Sequence, residues 1–183
     1  LVDRLFLFSK LDLGQVSFMM ERVSLRDYFA DFAAENTERL AERGLILHYS
    51  PPAGPAWTAI DRMQFQRVID NLLENALKYK EGATVAMDLN LAETPQAVVL
   101  TAADHGPGVP AADLPRLFDS FYRTDAARTD VQKGSGLGLA IAKQIITTLH
   151  GQIHAEATPG GGLTVVITLP QIEEAYHETD SDY

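Results

Sequence analysis

Three glycine-rich turns constrain what this chain can fold into: "DHGPGVP" at 104–110, "KGSGLGLA" at 133–140 and "TPGGGLT" at 158–164. A Walker loop places Lys and then Ser or Thr after its last glycine, and none of the three does so. A dinucleotide fingerprint reads GxGxxG, whereas Gly134, Gly136 and Gly138 run GxGxG. Both standard phosphate loops are therefore excluded. What remains is the general physics of such turns. Glycines let backbone N–H groups converge, and a helix that begins just beyond them turns its positive end toward an anion. "GSGLGLAIAKQII" has that arrangement, with Leu139, Ile141, Ala142, Ile145 and Ile146 forming a buried face behind the turn.

A second feature narrows the reading. The helical run "VIDNLLENALKYK" at 68–80 carries Val68, Ile69, Leu72, Leu73 and Ala76 on one arc. At 100° per residue, Asn71, Asn75 and Lys78 fall within roughly 60° of one another beside that arc. A solvated helix face favours Glu and Lys, and Asn is a poor mid-helix residue because its amide competes for backbone groups. The amide stripe is thus either a surface stripe of unusual composition or the wall of a site, and the rest of the chain decides. The strand "QAVVLTAAD" adds an acid, because the alternation Val98, Leu100, Ala102 ends on Asp104.

The rest of the chain supplies a frame for these parts. "LVDRLFLFSKLDL" has helical spacing at Leu1, Leu5, Phe8 and Leu11 and ends at Gly14, as the last turns of a longer amphipathic helix. "VSFMME" at 16–21 is expected to be a strand. Ser24 opens "SLRD" as a capping-box-like start, with Asp27 in place of Glu or Gln, for a helix reaching Arg43 and stopped by Gly44. Strands are expected at "LILHYS", near "WTAI", at "ATVAMDLNL", "QAVVLTAAD", "QIHAEA" and "LTVVITL". Asp61 caps the amide-bearing helix, "EG" at 81–82 ends it, and a last helix covers about Leu137 to Leu149. The fold class is α+β: a mixed sheet of about five strands with helices on one face.

Bulk properties exclude several classes. A net charge of −10 argues against a nucleic-acid surface, which needs clustered Lys and Arg. There is no cysteine, hence no disulfide and no thiolate metal site. No apolar run approaches the roughly 18 residues of a membrane span. The tail "QIEEAYHETDSDY" at 171–183 is acidic, lacks a hydrophobic period and reads as disordered.

Five motifs in order, "NLLENALKY", "DHGPGVP", "LFDSFYR", "GSGLGLAIAK" and "TPGGGLTVVITLP", resemble the N, G1, F, G2 and G3 boxes of sensor histidine kinases, within the Bergerat-fold ATPase superfamily. The likeness covers roughly residues 16–170. "LFLFSKLDLG" resembles the end of the dimerisation helical hairpin of such kinases. The resemblance implies a two-layer α/β sandwich with a long ATP lid over 109–133. It divides the chain into a helix remnant at 1–14, an ATP-binding catalytic domain at 15–170 and the tail at 171–183.

The resemblance also assigns roles. Asn75 matches the Mg²⁺ ligand, and an amide oxygen suits a hard cation already held by phosphate and water. Asp104 matches the acid that accepts a hydrogen bond from the adenine amino group, with Gly106 and Gly108 admitting the base. Tyr79 resembles the ring that packs on adenine, Lys78 would lie near phosphate, and Asn71 belongs to the cofactor-binding set. Arg123 matches a phosphate-contacting arginine, Arg128 is a further candidate in the lid, and Leu117, Phe118 and Phe121 anchor the lid. Gly134, Ser135, Gly136, Leu137, Gly138, Leu139 and Thr164 complete the cofactor set for ATP and Mg²⁺. Relatives that hydrolyse ATP carry a glutamate four residues before the metal-binding Asn. Here that position is Asn71, and an amide cannot accept a proton at neutral pH. Glu74 reads as a surface residue.

The chain contains five histidines, and none has the helical His-acid pattern of a phosphoacceptor: only His177 precedes Glu, within the acidic tail. His48 and His154 fall in strands, His150 at a helix end and His105 in the "DHGPGVP" turn. The expectation is a cytoplasmic catalytic fragment of a membrane-anchored, homodimeric kinase. Its acceptor histidine lies on a helical hairpin of the same parent protein, and a response-regulator receiver domain is the downstream partner. The alternatives are a nucleotide-binding regulatory module without phosphotransfer, or a serine kinase of the same fold.

Overall fold

The computed structural model describes residues 1–124 and 134–173. Arg128 and His177, singled out above, lie outside the described residues, as does the tail beyond residue 173. The elements run α1 (Val2–Asp12), β1 (Glu21–Ser24), α2 (Leu25–Glu42), β2 (Leu45–Ser50), β3 (Trp57–Ile60), α3 (Arg62–Tyr79), β4 (Val85–Glu93), β5 (Ala97–Asp104), a short 3₁₀ turn (Leu114–Arg116), α4 (Gly138–Thr148), β6 (Gln152–Ala157) and β7 (Leu163–Pro170). Five strands form one mixed sheet in the order β2-β4-β5-β7-β6, parallel only between β2 and β4. β1 and β3 form a separate two-stranded ribbon.

Alternation decides which face is covered. Val85, Met87, Leu89 and Leu91 of β4 are buried, as are Val98, Leu100 and Ala102 of β5 and Val165, Ile167 and Leu169 of β7. These pack with Leu25, Phe29 and Leu40 of α2, Phe65, Ile69 and Leu73 of α3, and Ile141, Ile145 and Ile146 of α4 in one core. Phe29 meets Phe65 edge-on at 6.1 Å between ring centroids, a favoured aromatic geometry. The intervening residues Asp88, Asn90, Thr101 and Thr168 are half-buried or exposed on the uncovered face. This is the two-layer arrangement expected from sequence.

The helix ends follow the caps. Ser24 Oγ accepts from Asp27 N at 3.3 Å, while the Asp27 carboxylate takes Arg26 Nε at 2.9 Å, so only half of a capping box forms. At the start of α3, Asp61 Oδ1 accepts from Gln64 N at 3.0 Å. α3 ends at Tyr79, and Lys80 Nζ then donates to the carbonyls of Gly82 (3.0 Å) and Ala83 (2.9 Å).

One expected strand is displaced. Residues 15–20 form no ladder, and the strand begins at Glu21. The Met19 N–H, which a ladder would have needed, donates instead to Asp61 Oδ2 at 2.8 Å, and pairing starts with Glu21 opposite Ile60. Asp61, 5% exposed, thus holds both the entry of α3 and the segment leading into β1. Replacing it leaves two backbone donors without their partner. Asp61→Ala is expected to lower the unfolding free energy by about 2 kcal/mol in urea titration, and Asp61→Asn by less. Equal stability of Asp61→Ala and the parent would contradict this role.

Candidate functional site

The site is built around the end of β5. The period of two that buries Val98, Leu100 and Ala102 carries Asp104 to the same face, opposite Met87 of β4, and leaves it 8% exposed. A buried carboxylate is costly unless it accepts hydrogen bonds. Asp104 Oδ1 accepts from Gly106 N at 3.0 Å and from Leu163 N at 3.1 Å. Its backbone oxygen accepts from Thr158 Oγ1 at 3.0 Å, and Thr158 Oγ1 also pairs with Thr164 Oγ1 at 2.9 Å. The turns at 104–108 and 158–163, far apart in sequence, are thereby joined through one acid. Gly162 has φ +119°, and a Cβ there would lie 1.9 Å from the Asp104 carbonyl oxygen, so only glycine fits.

α3 forms a second wall. Its core stripe is buried as expected, which directs Asn71, Asn75, Lys78 and Tyr79 away from the core as half-buried residues. They line a cavity of about 310 Å³ that Asp104, Gly106 and Gly108 also line. Among the described residues, neither Asn71 nor Asn75 makes a side-chain hydrogen bond, and both line the cavity wall. Lys78 Nζ lies 4.8 Å from the centre of the Tyr79 ring.

The third wall is the turn before α4. Ser135, Gly136, Gly138 and Leu139 line the cavity, and Arg123 faces it from the preceding segment. Gly136 has φ +72°, and its carbonyl accepts from Phe121 N at 3.1 Å. A Cβ at Gly136 would lie 2.8 Å from the Tyr122 carbonyl oxygen, which ties the 117–124 segment closely against the glycine turn.

Five expected residues do not line the cavity. Phe118 is 8% exposed and Leu137 fully buried, both within the hydrophobic interior. Thr164 is turned toward Thr158, and Gly134 sits beside Lys78 Nζ. Phe121 is 57% exposed at φ +62°. Phe118, Leu137 and Thr164 thus stand behind the walls rather than in them. Conversely, Leu163, Val109, Leu117, Tyr122 and Arg4 line the cavity without having been singled out as lining residues. Leu163 follows Gly162 directly, and the Asp104 contact requires that. Arg4 comes from α1, and its spacing from Leu7, Phe8 and Leu11 was the available signal. Glu74 also borders the cavity, but its Oε1 is held by Arg43 at 2.7 Å. Among the described residues no cluster of three or more His, Cys, Asp or Glu can hold a metal ion, so a cation here would depend on an amide and the ligand's own oxygens.

Among the described residues, the histidines lie in the kinds of segment expected. His48 lies on β2, His154 on β6, His150 just after α4 and His105 just after β5. On the uncovered face, Asp88 Oδ2 meets His105 Nε2 at 2.7 Å and Oδ1 meets His48 Nδ1 at 3.0 Å. His105, followed by His48, holds the Asp88 carboxyl below its ordinary value, against the opposing effect of burial. A depressed carboxylate contributes stability above its unfolded pKa, and that contribution is lost as pH falls through the lower folded value. The Asp88 side chain is 37% exposed, so solvent keeps the effect small, about 0.5 kcal/mol. Asp88→Asn should therefore shallow the acid limb of stability below about pH 4. An acid limb identical to the parent's in chemical unfolding at pH 2–5 would contradict the pairing.

The chain is similar to known proteins over most of its length. Residues 60–173 match the family model "Histidine kinase-, DNA gyrase B-, and HSP90-like ATPase". The chain is 34% identical over 181 residues to the sensor histidine kinase WalK of Bacillus subtilis, covering 98% of this chain and 30% of that protein. It is 35% identical over 170 residues to the signal transduction histidine-protein kinase BaeS of Escherichia coli, covering 93% of this chain and 36% of that one. The chain thus spans about a third of the length of these curated relatives. Among solved structures, full-length ShkA in complex with AMPPNP superposes with a TM-score of 0.77 at 21% identity, over 95% of this chain and 36% of that one, a likeness of fold.

Proposed function

Since the chain belongs to the family of histidine kinase-, DNA gyrase B- and HSP90-like ATPases, we propose that it is the ATP-binding catalytic domain of a two-component sensor histidine kinase. It positions Mg-ATP for γ-phosphoryl transfer to a histidine on a helical hairpin of the same parent protein, from which a receiver domain is phosphorylated in turn. Residues 15–170 form this domain, and residues 1–14 are the end of the hairpin through which the parent dimerises.

One observation carries the reading: Asn75 of α3 and Asp104 of β5 line one cavity together with the turn before α4. The residues fit the ligand on two counts. Asp104 offers a buried carboxylate whose Oδ1 is already oriented by Gly106 N and Leu163 N, suited to the donor edge of an adenine. Asn75 presents an amide without a partner among the described residues, whose oxygen can replace one water in the shell of a phosphate-bound Mg²⁺. The bound nucleotide supplies the transferable phosphoryl group, and the metal neutralises its charge.

The chain's own residues then have separate tasks. Asp104 accepts from the base and selects adenine. Tyr79 supports the ring. Lys78, Arg123 and the N–H groups at Gly136 and Gly138 orient and neutralise phosphate. Leu163 and Val109 exclude water from the base. Asn71 cannot accept a proton from water, and Glu74 is bonded to Arg43. The cavity therefore favours positioning for transfer over hydrolysis.

Two measurements test this. Asp104→Asn should weaken ATP binding more than tenfold by calorimetry, at least about 1.4 kcal/mol, and Asn75→Ala should make the remaining affinity insensitive to Mg²⁺. Unchanged affinity in Asp104→Asn would contradict the assignment. Incubation with γ-labelled ATP should leave the isolated chain unlabelled and should label a separately added acceptor hairpin. Strong labelling of the chain itself would refute a supplied acceptor.

A further inference from the structure

Arg4 is a cation on α1 that enters the cavity of α3 and α4. Arg4, Leu7, Phe8 and Leu11 recur at helical spacing and share one face of α1. Leu11 is 6% exposed, and Leu7 and Phe8 pack half-buried against the core. At the end of this face, Gln144 Nε2 of α4 donates to Asp12 Oδ1 at 3.2 Å. At its beginning, Arg4 reaches the first residue of α4: a guanidinium nitrogen lies 3.9 Å from where a Gly138 Cβ would stand, and Asn71 Oδ1 lies 3.5 Å from the same point. α1 and α4 therefore run side by side in the same direction, with Arg4 level with the N-terminus of α4.

Chemistry at that position favours an anion. Arg4 lines the cavity. Among the described residues, no salt bridge includes it and it makes no hydrogen bond. Of the three carboxylates that line the cavity, Glu74 is engaged by Arg43 and Asp104 by backbone N–H groups, and Glu81 stands beyond the C-terminal end of α3, ten residues past Asn71. Asp104 and its partners occupy the wall near Leu163, whereas Arg4 belongs to the wall formed by Asn71 and Gly138. With the base at Asp104, as the proposed function has it, the phosphate chain extends toward that second wall.

We propose that Arg4 is a specificity-determining residue that contacts the terminal phosphate, separates triphosphate from diphosphate, and makes the docking of α1 on α4 depend on which nucleotide is held. A planar guanidinium is suited to two phosphate oxygens at once. Linkage makes the effect reciprocal: if α1 docking strengthens triphosphate binding, triphosphate binding stabilises α1 docking by the same factor. The inference rests on the nucleotide reading of the cavity, and its test separates the two.

The test uses the full 183-residue chain, with Mg²⁺ and either a non-hydrolysable ATP analogue or ADP, in calorimetry and in hydrogen exchange over residues 2–12. Arg4 is exposed, so its replacement leaves the core intact. Arg4→Ala should weaken the triphosphate analogue about tenfold and ADP less than twofold, and Arg4→Lys should recover part of the loss. The analogue should slow exchange in α1 of the parent but not in Arg4→Ala. A merely structural role would weaken both nucleotides alike. That result, or unchanged affinity for the analogue, would overturn the proposal while leaving the nucleotide site in place. Failure of the parent to bind either nucleotide would overturn both.

Discussion

The arrangement depends on one buried carboxylate at the end of a strand. Asp104 occupies the core-facing position of an alternating strand, where an aliphatic residue would ordinarily pack. It stays ordered because Gly106 N and Leu163 N both donate to Oδ1. A carboxylate taken from water at this cost needs such donors. The same contacts draw the 158–163 turn across the strand end, where a side chain at Gly162 would collide with the Asp104 carbonyl. Acid, glycine turn and the β5–β7 register thus depend on one another.

The second wall answers to a different constraint. α3 must bury Phe65, Ile69 and Leu73 and also present Asn71 and Asn75 to a cavity. Each mid-helix asparagine costs about 0.5 kcal/mol in helix propensity relative to alanine. The core stripe and the Asp61 cap offset that cost. Division of the helix into a packing arc and an amide arc sets Asn75 across the cavity from Asp104, both on rigid elements. Under the proposed function, binding and orientation are built into these elements, and the acceptor of the phosphoryl group is supplied by another segment.

Much of this was legible in sequence because it follows from local rules. Period-two alternation ending on Asp104, the amide stripe on α3, Ser24 and Asp61 as caps and the glycine turns all come from short-range physics. Less legible were features decided by pairing across the chain. β1 begins later than its β-rich composition suggests because Met19 N is committed to Asp61, a contact 42 residues away in sequence. Phe118, Leu137 and Thr164 stand within family motifs, yet burial and the Thr158 contact make them supports of the walls. Leu163 joins the cavity only through the β5–β7 register, and Arg4 only through the docking of α1. Spacing within one helix shows a face but not what that face meets.

The central claim is that groups from α3, β5 and the turn before α4 act as one nucleotide site. The most direct measurement is a nuclear magnetic resonance titration of the labelled chain with a magnesium-bound, non-hydrolysable ATP analogue. The account predicts that the Asn75 side-chain amide and the backbone amides of Gly106, Gly136 and Leu163 shift together along a single saturation curve. Shifts confined to one wall, or separate curves for Asn75 and Gly106, would contradict it.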